Sequence, residues 1–378
     1  MYKDKPKIVV FNQDTLSHVG IITKYTSLVW EPKFSGVGEF EFWCELCEEN
    51  IELVKAERIV WIGEDEFGII LGFQESIDEK GSKKLDVKGT TLNEYLLRRI
   101  VWSTHISRNK KETEIMKALV NENFVSPSDS ARKFNFMLVE DTKDYGKQID
   151  YQQTGGIVGE ELEKLCDSSE SQLGFKLYVD IKNKKIKFKT ECGKDRTRGN
   201  TEGNNIVVLS TDLKDILSST YEYNCKDEKN VALVAGEDTG DNRKKVIAGD
   251  TSKKGLYRKE LYVDARDLRK DDGNGKTFTD TEYESMLNER GNSKLGEYIV
   301  EENFNATIRN TGYTNYSYGV DYNIGDKVTL EDKVLCISLD ATILNIQESW
   351  QDKGYTLKVV FGYSRLKLPK KIKRMLKD

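Results

Sequence analysis

Residues Ile70–Gly89, ILGFQESIDEKGSKKLDVKG, and Ile343–Gly362, ILNIQESWQDKGYTLKVVFG, agree without gaps at nine of 20 positions. The shared residues are the leading Ile-Leu, a Gln-Glu-Ser triplet, a Lys-Gly pair, one Val and the closing Gly. Phe73/Ile346, Asp78/Gln351 and Glu79/Asp352 are similar in kind. Alternating strands on either side of Lys-Gly read as a β-hairpin in each copy. Internal repetition constrains architecture before any other feature does. Two copies so far apart are not an array, which excludes a solenoid. They predict one β-barrel built twice within the chain, with other material inserted between the copies.

The rest of the sequence is read in the same period. Phe40 and Phe42 alternate with Glu39 and Glu41 in one strand. Phe175, Leu177, Val179 and Ile181 run up to Asn183-Lys184, and Ile186 and Phe188 run back, a second hairpin. Leu85–Gly89 and Tyr355–Gly362 are strand candidates ended by glycine. Helical spacing is rarer. Apolar residues fall at 92, 95, 96 and 100, then at Ile115, Met116, Leu119 and Val120 between Lys111 and Asn121. Gly155–Cys166 repeats the pattern with Ile157, Val158, Leu162 and Leu165. Thr279-Asp-Thr-Glu282 is a capping box ahead of Tyr283, Met286 and Leu287. A length of 378 residues, at roughly 150 per domain, gives two or three domains. The fold class expected is β-rich α+β, with two related β-barrel domains and inserted α+β segments.

Chemistry-bearing residues are sparse. His18 and His105 are the only histidines, and no His-x-x-x-His pair or His/Cys cluster has zinc spacing. Cys44-Glu-Leu-Cys47 has C-x-x-C spacing but no second pair, and it follows a Phe-Glu-Phe strand where cysteine packs as a small hydrophobe. Asp272–Thr277, DGNGKT, lacks the glycine and preceding strand of a phosphate loop. As a calcium loop it would start at Lys270 and end at Thr281, so it reads as a polar surface loop. Among 64 acidic residues no carboxylate pair can be singled out as a glycosidase dyad. Gly36-Val-Gly38 lacks a third glycine, and Ser35 and Ser364 lack a nucleophile elbow. No enzyme, cofactor or metal site is expected.

Charge and targeting exclude further classes. Fifty-nine basic and 64 acidic side chains give a net charge of -5, which removes strong global attraction to nucleic acid or anionic membrane. Ile8–Phe11 is too short for a signal-peptide core, and no stretch approaches the ~18 apolar residues of a membrane helix. Synthesis and folding in the cytosol without lipid are expected. Six scattered cysteines make no disulfide framework in a chain this long, so a reduced compartment is the default. The many aromatics, 18 Tyr among them, suit sheets and interfaces. From Arg365 to Lys377 the chain is basic, and Lys370, Lys371, Lys373 and Arg374 are candidate contacts for an acidic partner surface. A solvated tail helix is the alternative.

Asn230–Glu237 with Gly255–Leu268, Ser27–Trp30 with Gly36–Phe42, Val87–Arg99, Gly193–Thr197 and Tyr322–Val328 together resemble, in order and spacing, the tail-hub proteins of tailed bacteriophages of Gram-positive hosts. That family is similar to the central baseplate hub of contractile phages. The resemblance implies a non-enzymatic virion structural protein, assembled in the host bacterial cytoplasm into the phage tail. It implies a homotrimeric ring of six near-equivalent barrels that joins the tail tube or distal tail protein to the tip or fibre subunit. The ring would gate the channel for DNA ejection, passing DNA without sequence-specific binding and without membrane insertion.

On this basis barrel one is expected at about 1–105 and an α+β insertion at about 106–205. Barrel two would take 206–236 and 300–366, with a second insertion at 237–299 and a basic tail at 367–378. Many relatives continue into a peptidoglycan-cleaving or receptor-binding domain; this sequence stops at Lys377-Asp378, which would assign wall digestion to another subunit. A cell-wall hydrolase or a carbohydrate-binding adhesin of the tail tip are the rival functions, and both leave the repeat without a symmetry rationale.

Overall fold

The computed structural model describes residues 4–77, 81, 83–213, 215–271, 277–309, 315–332, 337–351 and 354–362. The first half supplies strands β1 (Ile8–Phe11), β2 (His18–Ile22), β3 (Tyr25–Glu31), β4 (Glu39–Glu45), β5 (Ile59–Gly63), β6 (Glu66–Ile77) and β7 (Lys83–Thr91), with a short helix α1 (Glu48–Leu53) before β5. A mixed segment comes next, with β8 (His105–Lys111), α2 (Glu112–Val120), β9 (Met137–Val139), β10 (Gln148–Gln153), α3 (Val158–Ser168), β11 (Leu173–Asp180) and β12 (Lys185–Cys192). The chain then forms β13 (Val208–Ser210) and β14 (Ile216–Asn224), and leaves for a small sheet of β15 (Val231–Ala235), β16 (Lys245–Gly249) and β17 (Glu260–Asp264) covered by α4 (Asp280–Leu295). It returns through β18 (Glu301–Ile308), β19 (Lys327–Asp332), β20 (Ile337–Gln351) and β21 (Gly354–Gly362).

Among the described residues thirteen strands join in one sheet, in the order β14-β18-β21-β20-β3-β4-β7-β6-β5-β1-β2, with β19 on β20 and β13 on β19. The order is a duplication. The antiparallel runs β3-β4-β7-β6-β5 and β14-β18-β21-β20-β19 use their strands in the same chain sequence. Their irregularities coincide as well. A bulge falls between Tyr25 and Ser27 in one run and Ile216 and Ser218 in the other, and between Ile70 and Gly72 or Ile343 and Asn345. A bulge adds one residue to a strand and re-aims the residues beyond it, so shared bulges mark shared geometry. The sixth strand differs: β1 is antiparallel to β5, whereas β13 is parallel to β19.

The expected barrels are not present. Among the described residues no sheet closes, and the large sheet ends openly at β14 and β2. The outer edge of β3, which closure of a first barrel would need, is taken by the far end of β20. An edge whose backbone groups are already paired has none left for its own sheet. Among the described residues the two repeats therefore merge into one open sheet, and neither half closes into a barrel.

The paired registers also correct the ungapped alignment. Phe73 pairs with Val87 in the first hairpin, but its counterpart Ile346 pairs with Val359 and not with Val360. The second copy is one residue shorter across its turn, so β21 is shifted by one against β7. Because strand side chains alternate, such a slip exchanges the faces; Val87 and Val359 are both fully buried, whereas Val360 is not. The second-strand identities Val87/Val360 and Gly89/Gly362 are coincidences. Asp78–Lys80 and Asp352–Lys353 lie outside the described residues.

Burial explains the local sequence. Val60 and Ile70 face a core with Trp30, Phe42 and Leu85, while Ile59, Phe67 and Ile69 face a second core with α2, α3, β11 and β12. A strand covered on both faces reads as a continuous apolar run, as Ile69-Ile70 does. Gly89 is buried between Phe40 and Ile69; a Cβ there would lie 2.1 Å from the Ile69 carbonyl oxygen and 2.4 Å from the Phe40 ring. The equivalent of Gly89 is Phe361, and there the ring of Phe304 meets it edge-on at 6.3 Å. The helices at 112–120, 158–168 and 280–295 follow the apolar spacing, and Thr279 and Glu282 form the expected capping box. The 92–100 spacing gives a 3-10 helix over Leu92–Arg98 instead of an α-helix.

Glu112, at the start of α2, is 1% exposed and accepts from the Lys147 N–H at 3.1 Å and the Ser169 hydroxyl at 2.7 Å. Burial pushes its carboxyl above the ordinary range despite those donors, and Glu289 of α4 adds like charge. A carboxyl with a raised folded-state pKa favours folding once protonated, so its penalty is present at neutral pH and fades on acidification. Glu112→Gln is therefore expected to raise Tm at pH 7–8, with the gain shrinking as pH falls toward 4.5. A Tm difference that stays constant across that window, followed by circular dichroism, would refute this account.

Candidate assembly surface

The repeat contains one hairpin end that is buried and one that is bare. In the second copy, Glu348, Ser349 and Trp350 of β20 lie opposite Trp30, Val29 and Leu28 of β3. Glu348, Ser349, Trp350, Leu28 and Trp30 are all less than a tenth exposed. The Gln347 amide donates to Glu31 Oε2 at 2.9 Å, and the Asn345 amide donates to Glu31 Oε1 at 2.5 Å. The Phe34 N–H donates to the Leu344 carbonyl at 3.0 Å, extending the joint past the strand end. Tyr355 donates its hydroxyl to Glu348 Oε1 at 2.6 Å, and burial together with Glu348 pushes that phenol far above its ordinary range. Strand pairing thus welds the two halves, with the Gln-Glu-Ser triplet at the seam.

In the first copy the same triplet, Gln74-Glu75-Ser76, is exposed. From Gly72 to Ile77, β6 pairs only with β7 among the described residues. Phe73 and Ile77 occupy the inward-facing positions of Ile346 and Trp350, yet they are 44% and 64% exposed where the second-copy pair is 0% and 4%. At one end of the sheet β14 pairs only with β18 among the described residues. Through Phe40/Phe304, which pair with Trp30 and Tyr221 respectively, β14 is the counterpart of β3. Ser219, Thr220, Tyr221 and Glu222 therefore stand where Leu28, Val29, Trp30 and Glu31 stand. Bare strand edges bearing large apolar side chains template further pairing.

The other candidate residues do not gather into a site. Lys370, Lys371, Lys373 and Arg374 lie outside the described residues, as do Asp272–Lys276 and Cys336. His105 is buried between Glu122 and Ser107, each at 2.8 Å, and His18 meets Phe11 edge-on at 6.1 Å. Cys44 is buried in the first core, where burial pushes its thiol up to about 12, far from a reactive thiolate. Cys44 and Cys47 are both free thiols. Among the described residues no group of three or more His, Cys, Asp or Glu side chains is arranged to hold a metal, and no helix is long and apolar enough to cross a membrane. A cleft of about 230 Å³ between β10, α3 and α4 has its charges engaged internally: Glu161 with Lys164, and Arg290 with Asp267. The sequence reading missed Gln74, Glu222 and the β6 and β14 edges, although the repeated triplet was their signal.

No curated protein matches the chain. Its fold is similar to the prophage MuSo2 43 kDa tail protein of Shewanella oneidensis, with a TM-score of 0.54 at 13% identity over 94% of this chain and 98% of that one. A tail protein of Neisseria meningitidis gives 0.54 at 13% over 97% and 99%. The prophage tail protein gp18 of Listeria monocytogenes gives 0.51 at 11% over 98% of both chains. The model of the family described as Siphovirus ReqiPepy6 Gp37-like protein matches residues 7–363. With that match over nearly its whole length, the chain belongs to the Siphovirus ReqiPepy6 Gp37-like family.

Proposed function

We propose that the chain is a non-enzymatic hub component at the distal end of a phage or phage-derived tail. Three copies surround the tail axis, join the tube to the tip, and leave a passage for DNA that they do not read. The observation that carries this reading is the duplicated strand run in one continuous sheet. Three chains with two similar halves each present six similar surfaces, which suits a junction between parts of different symmetry. In this reading the segments at 106–205 and 237–299 are insertions carried on the duplicated unit, and Lys370, Lys371, Lys373 and Arg374 meet an acidic neighbouring subunit.

Electron microscopy of the purified protein, classified without imposed symmetry, tests it. Three-fold particles with an open axis are the expected result. Particles with any other copy number, or a single chain at every concentration up to about a millimolar, would overturn it.

A further inference from the structure

We infer that β6 of one copy and β14 of the next pair edge to edge, reproducing between chains the joint that β20 and β3 make within one. The inference rests on the three-copy reading and names its contact. The register comes from the equivalent positions: Glu75 lies opposite Tyr221, Ser76 opposite Thr220 and Ile77 opposite Ser219, as Glu348, Ser349 and Trp350 lie opposite Trp30, Val29 and Leu28.

Three observations converge on a second copy as the occupant. The first is retention of the polar clasp. Gln347 donates to Glu31 across the internal joint, and both equivalents, Gln74 and Glu222, keep the same residue type while standing exposed, one on the far half of β6 and one on the terminal strand β14. The second is the exposed apolar pair Phe73 and Ile77, whose counterparts Ile346 and Trp350 are covered inside the chain. The third is complementarity of edges: among the described residues each half has one of the two edges occupied internally, which leaves one of each kind without a strand partner. Unlike edges make a head-to-tail contact, and such a contact closes on itself when the rotation allows. Backbone pairing supplies affinity, while the Gln-Glu clasp and the apolar side chains fix register.

The test is a disulfide across the joint, in a Cys225→Ser background because Cys225 is an exposed free thiol. Directly opposed strand residues are about 4.5–5.5 Å apart at Cβ, within reach of a disulfide after small adjustment. Ser76→Cys with Thr220→Cys is expected to give covalent oligomers on mild oxidation, ending at a closed three-chain species, while neither single variant crosslinks. A second variant, Ile77→Asp, changes an exposed side chain and so leaves the fold intact; it is expected to weaken assembly by ~100-fold in sedimentation, because it places a carboxylate in the covered joint. Three-copy particles that neither crosslink at 76/220 nor respond to Ile77→Asp would overturn the joint and spare the three-copy reading. Efficient crosslinking into open chains or another closed number would support the joint and sink the three-copy reading. A single Ser76→Cys variant that crosslinks to itself would mean like edges meet, and would overturn the joint.

Discussion

Asp326→Ala is expected to cost about 3–5 kcal/mol, the range for breaking a buried ion pair from one side. Asp326 is 3% exposed and Arg196 is 7% exposed, with Arg196 Nε 2.7 Å from Asp326 Oδ2. The same carboxylate accepts from the Lys194 N–H at 2.8 Å and the Asn323 N–H at 3.0 Å. Alanine would leave a guanidinium and two N–H groups without that acceptor in a dry place. The pair sits where the chain leaves β12 and enters the second half of the sheet, and backbone bonds run alongside, from the Arg196 N–H to the Lys327 carbonyl and from the Lys327 N–H to the Lys194 carbonyl. Gly193 permits the approach, since a Cβ there would lie 1.9 Å from the Gly325 carbonyl oxygen. Urea denaturation with a constant m-value would measure the loss. Arg196→Met combined with Asp326→Leu is expected to cost less than either single change, because the double variant strands no charge. A single-variant loss under ~1 kcal/mol would show that water reaches the pair.

Periodicity in the sequence is local, and the features it revealed were local too. The α2 and α3 stripes, the β11–β12 hairpin and the Thr279 capping box are set by residues within a few positions of one another, so they could be read directly. Asn93 shows the limit. Its buried amide donates to the Gly36 carbonyl at 2.7 Å and accepts from the Leu177 N–H at 2.8 Å, partners far along the chain that no spacing rule reaches. Strand alternation says which face is buried but nothing about which edge is paired, and this is why barrels were expected where an open sheet forms. Whether β3 meets its own sheet or β20 depends on backbone groups that every residue carries alike. The repeated Gln-Glu-Ser triplet did carry edge information. It became legible only when one copy was seen buried at a seam and the other bare. The misaligned second strands have a simpler cause: ungapped counting rewards chance matches, and only burial exposes a one-residue slip.

Trp30→Ala is expected to remove about 3–5 kcal/mol as well, because packing, a hydrogen bond and support of the seam disappear together. The indole is fully buried and stacks on Phe40 with centroids 5.0 Å apart and planes 18° from parallel. Its N–H donates to Glu66 Oε2 at 2.7 Å, and Glu66 also holds Lys176 of β11, so the indole fixes a carboxylate that ties the inserted segment to the sheet. Its backbone lies opposite Glu348 at the seam between the halves. Trp30→Phe keeps the stacking and loses the donor, and is expected to cost about 1–2 kcal/mol. The shape of the thermal transition matters as much as its midpoint. If the seam couples the halves, Trp30→Ala lowers Tm within one cooperative transition, because loosening the first core releases Trp350 and with it the edge of the second. Two separated transitions in the variant, where the parent chain shows one, would place most of that coupling in Trp30 itself. Two transitions already present in the parent chain would mean the halves fold independently, and the seam would then be a docking contact between finished units, of the same kind as the contact inferred between neighbouring copies.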